Sequence, residues 1–209
     1  MSTKCYDVSF YQMGLEIPED THHVIIRLGQ KDYMDTECEN FIQQCINKGI
    51  HFDLYWYIDT AEVELLKKEF EYINKYFNIL KEKYGFSQNK HLWLDFEKDG
   101  QDNKLFFMRA LKCGQEFNLN VGVYTCWDWY NRIMKNNSTF KDVPLWLAWW
   151  GVPTDYVKDL PSIHFHQYGT TKIGNYTVDG DNEICCCDYM DADFEVENNP
   201  ETFKGVNLY

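Results

Sequence analysis

Short apolar runs alternate with longer amphipathic stretches along this chain, and that order constrains the fold more than any other feature. Strand-like runs fall at 5–11, 23–28, 52–58, 92–96, 121–125, 145–149 and 163–168, with a last candidate at 184–190. Helix-like stretches fall near 36–48, 60–84, 102–117 and 127–135. In the second, Leu65, Leu66, Phe70, Ile73, Phe77 and Leu80 recur at helical spacing between charges, with Thr60 as the expected N-cap. The first ends at Lys48-Gly49, a C-terminal stop. Strand, helix, strand in this order builds a parallel sheet with right-handed crossovers. Helices become scarce after about residue 140. The expected fold is therefore α/β, a single irregular (β/α) TIM-like barrel of about eight strands with fewer helices in the C-terminal half. Without repeats, linkers or low-complexity tracts, residues 1–209 are expected to form one catalytic barrel domain.

Charge narrows the function. Twenty basic against 33 acidic residues give a net charge of −13, which argues against nucleic acid and against a membrane surface, both of which recruit Lys and Arg. No leader peptide and no membrane-length apolar run is visible. Aromatic residues reach 17%, enough for rings in a cleft, where flat apolar faces stack on sugars, as well as in a core. The even count of 8 cysteines fits disulfides in an oxidising compartment. Cys38 and Cys45, about 10 Å apart along one helix, should not pair. No CxxC pair exists and the spacings fit no zinc motif, so no metal is expected.

The segment His91-Leu-Trp-Leu-Asp-Phe-Glu reads as a buried strand ending in acids. Side chains two apart share a face, so Asp95 and Glu97 point together. Charges at the end of an apolar strand are costly unless they are paired or put to use. Barrel active sites lie at the C-terminal ends of strands, where these acids fall. Mutual repulsion and burial should raise one pKa and leave an acid beside a base, the division of labour that glycoside hydrolysis needs. A strand-end pair salt-bridged to Lys98 or Arg109 is the bland alternative. Asp7, in the first strand-like run, could bring a third carboxylate to the same rim.

The ordered set Asp7-Val8-Ser9 with Gln12, Val24-Ile25-Ile26-Arg27-Leu28-Gly29, Leu54-Tyr55-Trp56-Tyr57, Asp95-Phe96-Glu97, Gly122-Val123-Tyr124-Thr125, Leu145-Trp146-Leu147-Ala148 and His166-Gln167-Tyr168 resembles family 25 of the glycoside hydrolases, the Chalaropsis-type lysozymes. The resemblance implies a modified (β/α) barrel that hydrolyses the β-1,4 bond between N-acetylmuramic acid and N-acetylglucosamine in bacterial peptidoglycan. It implies Glu97 as general acid, Asp95 as the partner that orients the reacting N-acetyl group, and Asp7 at the cleft floor. It implies no metal and no cofactor. The family also carries a C-terminal aspartate. Asp179-Gly180 reads as a turn, and the context of Asp191 fits the family pattern better, so Asp191 is expected there with Asp181 as the alternative. Tyr55, Tyr57, Tyr124, Trp149 and Gln167 are the expected substrate contacts, each ring being as readily a core residue. A monomer is expected, secreted or held in an acidic vesicle. The rival readings are a barrel that binds glycan without cutting it and a glycosidase acting on chitin.

Overall fold

Each apolar run from 5 to 168 becomes a strand of one sheet. The computed structural model describes residues 4–184. The strands are β1 (Cys5–Val8), β2 (His23–Gln30), β3 (Tyr33–Met34), β4 (His51–Tyr57), β5 (Leu92–Asp95), β6 (Val121–Cys126), β7 (Leu145–Ala148), β8 (Ile163–Ile173) and β9 (Tyr176–Glu183). They hydrogen-bond in the order β1-β9-β8-β7-β6-β5-β4-β2-β3, and a parallel β1–β2 pairing closes the ring. From β1 through β2 and β4 to β8 neighbours run parallel, whereas β9 is antiparallel to both β8 and β1. The two-residue β3 only extends β2. The outcome is the expected irregular barrel, a closed eight-strand mixed sheet with few helices.

Three long helices pack outside its first half: α1 (Cys38–Lys48), α2 (Val63–Tyr84) and α3 (Lys104–Glu116). α2 buries Leu66, Phe70, Ile73, Phe77 and Leu80, each contributing roughly 1.5–3 kcal/mol. Leu65 falls off that face and is exposed. α1 stops at Gly49, whose φ of 65° is the left-handed cap expected there. Thr60 is not the cap of α2. Its hydroxyl accepts the Glu62 N–H at 3.0 Å, and the helix begins only at Val63. The stretch 127–135 is not one α-helix either: a short turn, α4 (Trp127–Trp129), runs into a π-helical turn at Tyr130–Met134.

The larger departure is β9. Asp179-Gly180 is no turn but the middle of a strand, with Asp7 opposite Asp179 and Cys5 opposite Asp181. The reversal falls instead at Gly174-Asn175, between β8 and β9. Gly180 is a glycine because Tyr168 lies across it; a Cβ would sit 2.4 Å from the Tyr168 hydroxyl. The candidate strand at 184–190 falls, beyond Ile184, outside the described residues.

Alternation divides each strand between two cores. Outward side chains meet the helices in the main core. Inward, Ile25, Tyr55, Trp93, Tyr124, Trp146 and Phe165 fill the barrel. Trp93 and Trp146 are fully buried, and each indole N–H finds a carboxylate: Trp93 donates to Asp53 at 3.1 Å and Trp146 to Asp181 at 2.7 Å. This plug separates a carboxylate-lined mouth, at the C-terminal ends of the parallel strands, from a histidine-rich floor.

Candidate active site

The mouth collects acids from opposite sides of the ring. Asp7 stands on β1, Asp95 ends β5, Glu97 follows two residues later, and Asp179 enters on β9. Asp7 and Asp95 are buried, at 8% and 6% exposure, whereas Glu97 reaches solvent.

A chain of polar groups links them. Gln167 Nε2 donates to Asp7 Oδ2 at 2.9 Å. Gln167 Oε1 accepts the Trp150 indole N–H at 2.7 Å and lies 3.0 Å from the Tyr124 hydroxyl, which is also 3.1 Å from Glu97 Oε1. Tyr124 has one proton to give. It donates to Glu97 when that carboxylate is ionised. When Glu97 carries a proton, Tyr124 can accept it and donate to Gln167 instead. The hydroxyl thus serves both protonation states of Glu97.

Electrostatics favour protonated acids here. Burial, reinforced by the Glu97 charge and opposed by Arg27, holds the Asp95 pKa well above the usual carboxylate range. Glu97 is raised by the protein packed around its carboxyl and by Asp179, against the Tyr124 hydrogen bond. Asp7 is pushed well up by burial and by the charges of Asp181 and Asp179. Arg27 is the buried counter-charge, its Nε 2.7 Å from Asp35 Oδ2 and its guanidinium 4.7 Å above the Phe10 ring. Two buried polar atoms, Asp95 Oδ1 and Arg27 Nη2, have no hydrogen-bond partner among the described residues. Unsatisfied buried groups are costly, and in a folded protein each marks a strained, catalytic or solvent-bridged position.

Below Asp7, Asp181 is buried against Trp146, and burial lifts its pKa from 3.8 to about 7. The folded state keeps that proton to higher pH than the unfolded chain does. The stability it carries is therefore intact at low pH and lost as pH rises from 3.8 to about 7. Asp181→Asn retains an oxygen for the Trp146 N–H. It is expected to gain on wild type by up to about 4 kcal/mol as pH rises from about 3 to about 8. Parallel melting-temperature profiles for the two proteins across that range would contradict it.

Of the residues expected from sequence, the fold brings Asp7, Asp95, Glu97, Tyr124 and Gln167 together. Tyr57 is half-buried at the rim, opposite Asp95 on the neighbouring strand. Tyr55 is buried inside the barrel, with Trp146 edge-on at 5.8 Å. Trp149 stacks face to face on Trp127 at 3.8 Å, so Trp150, 55% exposed, is the tryptophan that reaches the polar chain. Asp191 lies outside the described residues. Among the described residues, Asp179 is the β9 carboxylate whose charge reaches Glu97. Arg27 was visible only as an ordinary strand residue, and Trp150 only as half of a Trp pair.

The family model described as glycosyl hydrolases family 25 matches residues 7–175. Comparison with curated protein sequences returns no match. Among solved structures, the modular autolysin LytC from Streptococcus pneumoniae, in complex with a synthetic peptidoglycan ligand, superposes with a TM-score of 0.68 at 17% identity over 87% of this chain. This chain spans only 46% of that autolysin. The catalytic domain of endolysin ply40 from Listeria monocytogenes bacteriophage P40 matches with TM-score 0.67 and 19% identity, covering 89% of this chain and 94% of its own. A family GH25 lysozyme from Aspergillus fumigatus matches with TM-score 0.63 and 18% identity over 88% and 94% of the two chains. At such identities the likeness to these structures is one of fold.

Proposed function

This chain belongs to the glycosyl hydrolases of family 25, and we propose that it is a muramidase cutting the β-1,4 bond between N-acetylmuramic acid and N-acetylglucosamine in peptidoglycan. The observation that carries this reading is the partnerless oxygen of Asp95, buried beside a solvent-reaching Glu97 that a tyrosine can serve in either protonation state. Support for the polymer comes from the family and from the peptidoglycan ligand bound to the LytC autolysin.

In this scheme the Asp95 carboxylate accepts the N–H of the sugar's acetamido group. That donor, with Arg27, stabilises ionised Asp95 and leaves the shared proton to Glu97. Glu97, at the mouth, delivers the proton to the leaving glycosidic oxygen. Asp7 and Asp179, opposite each other across β1 and β9, hold substrate or water at the cleft floor. Tyr57 and Trp150 line the approach for sugar rings.

Reducing-end analysis tests the reading. Digested walls treated with borohydride should yield muramitol. Glucosaminitol from walls, or cleavage of chitin oligosaccharides alone, would replace this substrate with another, and wall binding without any new reducing ends would favour a non-cutting barrel.

A further inference from the structure

The barrel floor is as polar as its mouth, and the chemistry of the mouth does not use it. His22, His23, His51, His91 and His164, five of the 6 histidines in the chain, gather there with Asp53, Glu183 and Cys5. In such barrels the floor ordinarily serves stability. Here Cys5 is 1% exposed, and the Glu183 side chain 4%.

Within this group the Cys5 thiol, a ring nitrogen of His22 and a carboxylate oxygen of Glu183 lie within 4.8 Å of one another. His22 Nδ1 is 2.8 Å from Glu183 Oε2, yet among the described residues neither atom has a hydrogen-bond partner of acceptable geometry. The imidazole nitrogen and the buried carboxylate oxygen thus lie close together with a sulfur beside them, a donor set of the kind that holds a divalent ion. Ligands at zinc distances on a tetrahedral ion are about 3.3–3.7 Å apart, so small side-chain rotations bring these three atoms onto one ion.

We propose that Cys5, His22 and Glu183 form a divalent transition-metal site, filled by zinc, with water in the fourth position. One sulfur, one imidazole and one carboxylate suit zinc rather than magnesium or calcium, which take oxygen ligands. The ligands come from β1, from the residue before β2 and from the end of β9. The ion therefore bridges β1 to its two neighbours, β2 and β9, on the opposite side of the aromatic plug from the carboxylates. Three protein ligands and a water leave one coordination position open, unlike a closed structural site, and what the ion supplies here is a bridge between three strands. No local spacing announces it, because residues 5, 22 and 183 meet only when the barrel closes.

The test uses the full chain, reduced, stripped with chelator and titrated with cobalt(II) as a spectroscopic stand-in, then with zinc. The expected result is one equivalent bound, with a thiolate-to-cobalt charge-transfer band that zinc abolishes. Cys5→Ser should lose the band. His22→Ala and Glu183→Gln should each weaken binding at least ~10-fold, the lower end of what even outer-shell changes cost. Zinc should raise the melting temperature of wild type but not of Cys5→Ser. No band in wild type would overturn the proposal. So would a band that survives in Cys5→Ser, which would place the metal on other thiols. His22 is partly exposed, so His22→Ala should fold even if Cys5→Ser does not; unchanged affinity in it would also overturn the site.

Discussion

Replacing Glu97 with glutamine is expected to slow wall cleavage by about 10²–10⁴-fold, the contribution usual for a general acid. Glutamine keeps the length of the side chain and an oxygen for the Tyr124 hydroxyl, so the polar chain from Asp7 through Gln167 to Tyr124 stays assembled. What it lacks is a proton to give. The variant should therefore bind walls as wild type does and melt no lower, since the substitution also removes a carboxyl that its surroundings disfavour ionising. Turbidity clearing and co-sedimentation with walls read the two properties separately. Clearing within about tenfold of wild type would remove Glu97 from the proton-transfer role. The pH profile follows from the same group. Its pKa is raised above 4.5, and only the protonated form can donate. Activity is thus retained as pH climbs past 4.5 and falls as pH passes through the raised value, setting the basic limb of kcat/KM.

The site was legible in sequence wherever it depends on local spacing. Asp95 and Glu97 sit two apart at a strand end, so their common direction follows from the pleat, and Asp7 lies in a strand recognisable by its neighbours. Side chains whose role comes from distant partners were not legible. Arg27 looks like any strand arginine until β2 lies beside β4 and its charge acts on Asp95. Asp181 becomes a buried acid only when β9 returns beside β1 and places it against the Trp146 indole, contributed by a third strand. The misplaced turn has a similar cause. Asp-Gly is a strong local turn signal, but Tyr168 on the partner strand needs a residue without a side chain at position 180, and that tertiary demand prevails. The true reversal, at Gly174-Asn175, also carries a turn signal, but it lies beyond the run 163–168 because β8 continues to Ile173. Helix boundaries moved for local reasons, as when Thr60 capped a turn before α2 rather than α2 itself.

Asp95→Asn is expected to lower kcat by about 10²–10³-fold, the cost typical of removing one preorganised electrostatic partner. Asparagine preserves shape, and its oxygen can still accept an acetamido N–H, so KM should change far less than kcat. The lost element is charge. Ionised Asp95 makes it harder for Glu97 to ionise as well, and so helps keep the proton on Glu97. Without that charge Glu97 ionises more readily, and the basic limb of the pH–rate profile should move to lower pH. Asp179→Asn should shift the limb in the same direction, because the Asp179 charge also raises Glu97. It should cost less in kcat, since Asp179 is not the group meeting the acetamido nitrogen. The combination separates roles that a simple loss of activity cannot. A structural Asp95 would lower stability and leave the limb in place. An Asp95 acting only through its charge on Glu97 would shift the limb but recover most of kcat at low pH. Only an Asp95 that both touches substrate and biases the shared proton gives the shifted limb together with a kcat deficit that persists below it.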